Sequence, residues 1–288
     1  MIRKIFIFAP ALALLVSSGA CTDDAGADTD ESGETGSSET ADTEAGDDTT
    51  DTDTDTDTDV GEESTDVGET TDTGEGELCG DIPCEDALIL DLSLQEKVAE
   101  GAVSSVQEGD DWVSSVDATA GGTANAATNP WVYMRFGAAG LEKLDIDDYD
   151  ALSSADWHIA TKRYGIRVNS GSAGPGCVTV ASANGAYADI DAVPGDASFS
   201  VENFYDDECV LIEDASGLAG NPNYNMAQWW GYTGCVTTTG QVYLIDLGDA
   251  GVVKFVVDAY YAEGQETCNQ SGTMGTGSAE VTWRWRFL

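Results

Sequence analysis

Histidine, basic residues and long apolar runs are all scarce in this 288-residue sequence. It has one histidine, 11 Lys and Arg residues against 54 acids, and six prolines. The longest apolar run, from Ile5 to Val16, has about twelve residues, whereas a helix needs roughly 20 to span a bilayer. No G-x-S-x-G elbow, H-E-x-x-H pair or phosphate-binding glycine loop occurs, and one histidine limits both triads and zinc hydrolysis. These absences disfavour a permanent transmembrane segment and predict a protein that is not an enzyme.

The acids fall in two regions. Residues 21–77 hold 23 of them, include the repeat TDTDTDTDTD and contain no Lys or Arg. A segment with high net charge and almost no large apolar side chains buries too little surface to offset chain entropy, so it predicts a disordered acidic stalk. Residues 78–288 keep 31 acids against nine bases. Nucleic acid is therefore excluded as a partner, because binding it requires clustered Lys and Arg.

The first twenty residues have the layout of an export signal. Arg3 and Lys4 precede the apolar run, and Ser18, Gly19 and Ala20 precede Cys21. This arrangement resembles a lipoprotein signal, in which the cysteine is acylated at the new N-terminus, although lipoproteins usually carry Leu where Ser18 stands. The alternative is ordinary cleavage, which leaves Cys21 as a free thiol. We expect lipidation at Cys21, and hence a lipid-anchored protein of the outer membrane or cell surface.

Six further cysteines lie in residues 78–288, at Cys79, Cys84, Cys177, Cys209, Cys235 and Cys268. An even number in an exported chain predicts three disulfides. The tight turn Gly-Asp-Ile-Pro between Cys79 and Cys84 predicts a local bridge, and the pairing of the other four stays open. Zinc, the rival interpretation, is disfavoured because paired C-x-x-C units are absent and only one histidine exists.

The hydrophobic pattern predicts one all-β, antiparallel, disulfide-stapled domain over residues 78–288. Strand-like runs rich in β-branched and aromatic residues lie between Gly, Asn, Asp or Pro, at 131–136, 156–168, 241–247, 252–261 and 280–288. In the last, Val281, Trp283, Trp285 and Phe287 alternate with Thr282, Arg284 and Arg286, which predicts one wet face. A capping box at Ser93 predicts a short helix toward Val98.

Two groups of charged residues are predicted to have structural roles. The acids Asp145, Asp147, Asp148 and Asp150 form the run DIDDYD, interpreted as a solvated loop. Arg163 and Arg167 precede a turn that holds Gly171, Gly174 and Gly176, and we expect both arginines to pair with carboxylates. The glycines supply the positive-φ positions at which the chain reverses.

Three segments, in order, resemble the HmuY-like family. Residues 155–176 are similar to its W-D-I-A-F strand, basic residue and R-T-N-G-G-x-S-G turn, through Trp157, Ile159, Ala160, Arg163, Arg167, Asn169, Gly171 and Gly174. Residues 129–137 (NPWVYMRFG) resemble its early strand W-V-Y-F-x-F, and residues 241–261 its late Y-x-I-x-T-x-D-G-x-Y-A-K-x-x-I-x-S-Y-Y. The resemblance covers about residues 100–288.

The resemblance implies an outer-membrane lipoprotein that captures haem, in the type member between two histidines, and passes it to a receptor. A single histidine excludes that bis-histidine ligation. His158 could instead pair with Met134, Met226 or Met274, since Met with His is a known axial set. Strand alternation places His158 on a polar surface, opposite Trp157 and Ile159.

The segment 221–232 is a second candidate site. It gathers flat rings beside amides, which suits a porphyrin face or a sugar ring, at Tyr224, Met226, Trp229, Trp230 and Tyr232. Core filling by Trp229 and Tyr232 is the structural alternative. We therefore predict non-catalytic binding of haem or a related ligand, with a structural or recognition role toward a glycan or surface protein as the alternative, and no metal site.

Overall fold

The computed structural model describes residues 78–122, 124, 128–214, 216, 218 and 220–288. The predictions for the export signal, Cys21 and the stalk therefore lie outside the described residues. Within the described ones the protein is mostly antiparallel β-sheet with two short α-helices, which confirms the predicted all-β class.

The helices are α1 (Glu85–Asp91) and α2 (Gln265–Ser271). The strands are β1 (Val103–Glu108), β2 (Asp111–Asp117), β3 (Val132–Gly137), β4 (Gly140–Lys143), β5 (Ile159–Lys162), β6 (Gly165–Val168), β7 (Thr179–Ala183), β8 (Trp230–Tyr232), β9 (Val236–Thr238), β10 (Val242–Asp246), β11 (Val252–Glu263) and β12 (Thr276–Phe287). Short 3-10 helices span Asp150–Leu152, Tyr187–Asp189, Ala227–Trp229 and Gly248–Ala250.

The strands form three sheets, in each of which all neighbours run antiparallel. The six-stranded sheet has the order β1-β2-β12-β11-β10-β7, the four-stranded sheet β4-β3-β5-β6, and the third is the hairpin β8-β9. The main core draws on both large sheets, with Val132 and Met134 from β3 and with Phe255 and Trp283 from β11 and β12. The two large sheets therefore share one hydrophobic core.

One face of β12 is buried and the other is partly exposed to solvent, as its alternation predicts. Val281, Trp283 and Trp285 are buried. On the opposite face, the side chains of Arg284 and Arg286 form ion pairs with carboxylates. Phe287, predicted to point inward, is exposed at the end of the strand.

The four-stranded sheet is buried on both faces. In β5, Ile159 belongs to the main core, and Ala160 to a second core that α1 covers through Leu88. Trp157, just before β5, also belongs to the second core, so it shares a core with Ala160 and lies in a different core from Ile159. A strand covered on both faces loses the simple alternation of apolar and polar residues.

The predicted helix at Ser93 is wrong. Helix α1 ends at Asp91, and residues 93–98 form a turn, a bend and irregular structure with no helical turn. The capping-box pattern lies after the end of the helix instead of at its start.

The predicted run 156–168 is a hairpin rather than one strand. Lys162 pairs with Gly165, and the chain reverses through Arg163 and Tyr164. Arg163 takes a φ of 55°, the positive value that two-residue hairpin turns require. The glycine turn after β6 also differs, since only Gly171 of its three glycines has a positive φ. At Gly174 and Gly176 a Cβ would lie 2.3 Å and 2.7 Å from the Asn169 side chain, so close packing excludes a larger residue.

All six cysteines of the described region are paired, which confirms three disulfides, but the local bridge is wrong. Cys79 pairs with Cys177, Cys84 with Cys209, and Cys235 with Cys268. A backbone hydrogen bond of 2.8 Å from the Cys79 N–H to the Pro175 carbonyl sets the first pair together. Two disulfides therefore attach the start of the domain to distant loops.

Candidate functional site

His158 is half-buried instead of lying on a polar surface. Its Nδ1 accepts a hydrogen bond of 3.1 Å from the Phe136 N–H, and its ring stacks on the Phe136 ring at 6.2 Å. Burial, with a smaller contribution from Arg135, lowers the pKa of His158 to about 4. The imidazole is therefore neutral at pH 7, and its acceptor nitrogen is already occupied by the backbone.

The methionines proposed as partners of His158 differ in their access to solvent. Met134 and Met226 are both 0 % exposed and belong to the main core. Met274, in contrast, is 57 % exposed. Among the described residues it is thus the one thioether that a ligand in solution can contact.

The aromatic segment divides into buried and accessible rings. Tyr224 packs on Phe204 at 5.1 Å, and Trp229 donates from Nε1 to the Tyr164 carbonyl at 3.0 Å; both are buried. Trp230 is half-buried, and Tyr232 is 66 % exposed. The predicted core-filling role is confirmed for Trp229, which ends a 3-10 helix and is buried. It is wrong for Tyr232, which ends β8 at the protein surface.

Tyr232, the last residue of β8, and Met274, in the loop between α2 and β12, lie on segments that a disulfide bridge joins. The Cys235–Cys268 bridge ties β9 to α2. Beyond the bridge, the position of a Cβ on Gly272 is 2.7 Å from the Thr233 carbonyl. Thr233 and Gly272 therefore approach each other closely. Tyr232 precedes Thr233 and Met274 follows Gly272, so two exposed side chains with atoms that can ligate iron share this disulfide-closed end of the domain.

A buried polar network, which the sequence interpretation missed, holds the four-stranded sheet. Arg167 is 0 % exposed, and its guanidinium lies 4.7 Å from the Trp131 ring and 5.3 Å from those of Tyr133 and Trp157. It donates a short hydrogen bond to the Tyr133 hydroxyl, which donates in turn to Asp148 at 3.0 Å. Asp148, predicted to be solvated, is fully buried.

The carboxylate pairs predicted for Arg163 and Arg167 are absent from the described part of the chain. Arg167 reaches Asp148 only through Tyr133, and Arg163 lies over the Tyr164 ring at 5.6 Å. The three rings of the second core take the place of a counter-ion for Arg167.

Glu202 is a second buried acid, and it connects β6 to the aromatic segment. It accepts N–H bonds from Val168 at 3.3 Å and from Asn225 at 2.9 Å. Burial raises the pKa of Glu202 to about 8, and the two backbone N–H groups and Arg167 only partly oppose the rise. The folded protein therefore favours the neutral carboxyl.

Glu202 predicts a pH dependence of stability. The neutral form is favoured on folding, so its stabilising contribution is complete below pH 4.5 and is lost as pH rises through about 8. Between pH 6.5 and 8.5 we expect the free energy of unfolding to fall by at most about 1.4 kcal/mol per pH unit. Glu202→Gln should remove this slope in urea titrations, and the exposed Glu208→Gln should keep it. An unchanged slope in Glu202→Gln would contradict the assignment.

The described residues lack a metal-binding cluster and a membrane-spanning helix. They contain no group of three His, Cys, Asp or Glu side chains that could hold a metal ion. Their helices also lack the length and apolarity needed to cross a membrane.

Comparison with known proteins gives a family match. The family model of the HmuY protein matches residues 90–271. A protein from Bacteroides vulgatus ATCC 8482, assigned as an HmuY-like haem binding protein, is 16 % identical, with 61 % of this chain and 91 % of that one covered and a TM-score of 0.39.

Two further solved structures are similar. One from Bacteroides fragilis NCTC 9343, assigned as a lipoprotein, is 15 % identical over 63 % of this chain and 91 % of that one, with a TM-score of 0.35. The apo HmuY analog of Tannerella forsythia is 14 % identical over 67 % and 96 %, with a TM-score of 0.32. No curated protein sequence matches the chain.

Proposed function

The chain belongs to the HmuY family, and from this premise we propose that it is an exported, lipid-anchored protein that binds haem or a related flat ligand without transforming it. The leader, Cys21 and the acidic residues 21–77 support the tether, with residues 78–288 as the binding domain. A surface receptor that takes over the ligand is the partner that this role requires.

The chemistry of the buried groups supports a binding role over catalysis. Acids with strongly raised pKa values are often catalytic, and Glu202 and Asp148 have raised pKa values. Both are buried and are occupied by hydrogen bonds from the backbone, and in Asp148 also from Tyr133. A catalytic acid must reach its substrate, so these two serve the fold.

The observation that carries the haem proposal is the pair Met274 and Tyr232. Thioether and phenol oxygen are both known axial ligands of haem iron. Both side chains are exposed, Tyr232 at the end of β8 and Met274 in the loop after α2, and the Cys235–Cys268 bridge joins these two parts of the chain. Met134 and Met226 are buried, and the Nδ1 of the half-buried His158 is occupied by the Phe136 N–H, so we assign ligation to the disulfide-closed end.

A haemin titration of the full chain tests this assignment. We expect a shifted Soret band in the wild type, and binding weakened about tenfold or more in Met274→Leu, which keeps the bulk and removes the sulfur. Tyr232→Phe, which keeps the ring and removes the oxygen, should weaken binding as well. A Soret band unchanged in the wild type, or equal affinity in Met274→Leu, contradicts the proposal.

Glycan recognition is the second candidate function. It is favoured by a different observation, the uncharged amide-rich surface beside Trp230.

A further inference from the structure

A hollow of about 580 Å³ lies between the end of β7, the turn before β10 and the start of β8. Its polar and aromatic lining comes from Asn184, Gln228, Trp230, Thr239 and Gln241. This volume lies in the range of natural ligand sites, about 300 to 1,000 Å³.

The hollow has no charged residue in its lining. That is unusual in a domain with 31 acids and nine bases. The surrounding charge repels anions, and the hollow offers neither a cation to attract them nor a carboxylate to attract a base. Its chemistry selects a neutral, polar ligand.

Trp230 is held in position before any ligand arrives. Its ring packs on Tyr164 at 4.9 Å, and the Tyr164 carbonyl accepts the Trp229 indole N–H at 3.0 Å. The Thr239 N–H donates to the Trp229 carbonyl at 3.0 Å. A ring fixed in this way provides a flat apolar surface at little entropic cost.

The amides around Trp230 offer both donors and acceptors. Gln241 donates from Nε2 to the carbonyls of Ala183 and Val242, at 3.0 Å and 2.9 Å, which leaves its side-chain oxygen as an acceptor. Gln228 is exposed, and its side chain makes no hydrogen bond to the other described residues, so its donors and acceptor are available to a ligand. Sugar hydroxyls donate and accept at the same atom, and such amides match them.

A second hollow of about 330 Å³ continues on the other side, and it shares Gln228 and Trp230 with the first. Asn223 and Asn225 line it. Its one charged group, Asp214, is largely buried and accepts hydrogen bonds from Ser216 and Asn221. The two hollows therefore form one extended surface with the indole between them.

We propose that these two hollows bind a neutral oligosaccharide, with a pyranose ring stacked on Trp230 and its hydroxyls bonded to Gln228, Gln241 and Asn223. Apolar C–H faces of sugars pack on aromatic rings, and the paired hollows provide space for more than one sugar unit. Neither Met274 nor Tyr232 lines these hollows, and the proposal does not depend on haem binding.

The test uses the labelled full chain on a glycan array that carries neutral, sialylated and sulfated oligosaccharides. We expect retention on neutral glycans alone. With the best neutral glycan in solution, Gln228→Ala should weaken binding at least about tenfold, because it removes an exposed side chain that the fold does not use. Gln270→Ala, which removes an exposed amide on α2, should bind like the wild type, as should Met274→Leu.

Three outcomes overturn the proposal: an array without neutral binders, binding confined to acidic glycans, or equal affinity in Gln228→Ala and Gln270→Ala. Trp230→Ala adds a second check, read by circular dichroism and by binding. A folded Trp230→Ala variant with full affinity would also overturn it. Because Met274→Leu separates the two sites, a failed haemin titration leaves this result intact, and the reverse holds.

Discussion

Replacing Cys84 and Cys209 together by serine is expected to lower the free energy of unfolding by about 3 to 4 kcal/mol. The bridge fixes the N-cap of α1 to the loop after Tyr205, and because the Cys79–Cys177 bridge stays intact, the loop that it closes in the unfolded chain has roughly 37 residues. Cross-linking such distant positions removes a large part of the conformational freedom of the unfolded chain. Urea unfolding under non-oxidising, non-reducing conditions, with the wild type alongside, gives the difference.

The Cys235–Cys268 bridge is the matched control. It closes 33 residues, so the same model gives its removal an effect of similar size, about 3 to 4 kcal/mol. A Cys84→Ser/Cys209→Ser double variant with wild-type stability would show that the cysteines are unpaired in the protein, and would refute the pairing.

Arg167→Ala is expected to cost about 3 to 5 kcal/mol. The substitution removes a guanidinium packed against three aromatic rings and takes away the donor that satisfies the Tyr133 hydroxyl. It also leaves the buried acids Asp148 and Glu202 without their nearby positive charge. Loss of one partner in a buried charge network costs far more than loss of a surface pair.

Arg135→Ala serves as the control for this prediction. Arg135 lies on β3 of the same sheet and forms a surface ion pair of 2.8 Å with Glu142. Surface pairs contribute about 0 to 1 kcal/mol, so this variant should unfold close to the wild type. Equal losses in the two variants would contradict the structural role assigned to Arg167.

Strands with one solvent-exposed face could be predicted from the sequence. In β12, buried aromatic residues alternate with arginines that reach carboxylates, and all but the last residue of the predicted run 280–288 lies in the observed strand Thr276–Phe287. The order of the three resembling segments also gave the family, which the match over residues 90–271 confirms.

Features that depend on distant partners could not be predicted. Asp148 looks like one acid of a loop run, and only the fold places it under the Trp131 N–H and the Tyr133 hydroxyl. The predicted Cys79–Cys84 disulfide is wrong for the same reason. These two cysteines are close in sequence, but each pairs with a cysteine in a distant loop, 98 and 125 residues away. Burial on both faces of β5 and the turn at Arg163 likewise hide the hairpin within the run 156–168.

The sequence alone does not show which of the candidate ligand-binding residues are accessible and which are buried. A cluster of rings at 224–232 does not reveal which ones face the core, and the fold divides buried Tyr224 and Trp229 from accessible Trp230 and Tyr232. Likewise, strand alternation alone could not indicate that the Nδ1 of His158 is used by Phe136.

The most direct test of haem capture without histidine ligation is a haemin titration of the full chain and its His158→Ala variant, followed in the Soret region. The imidazole is half-buried and neutral, and its acceptor nitrogen is bonded to the backbone. We predict the same Soret shift and the same affinity for both proteins. Loss of the shifted band in a folded His158→Ala variant would contradict the account.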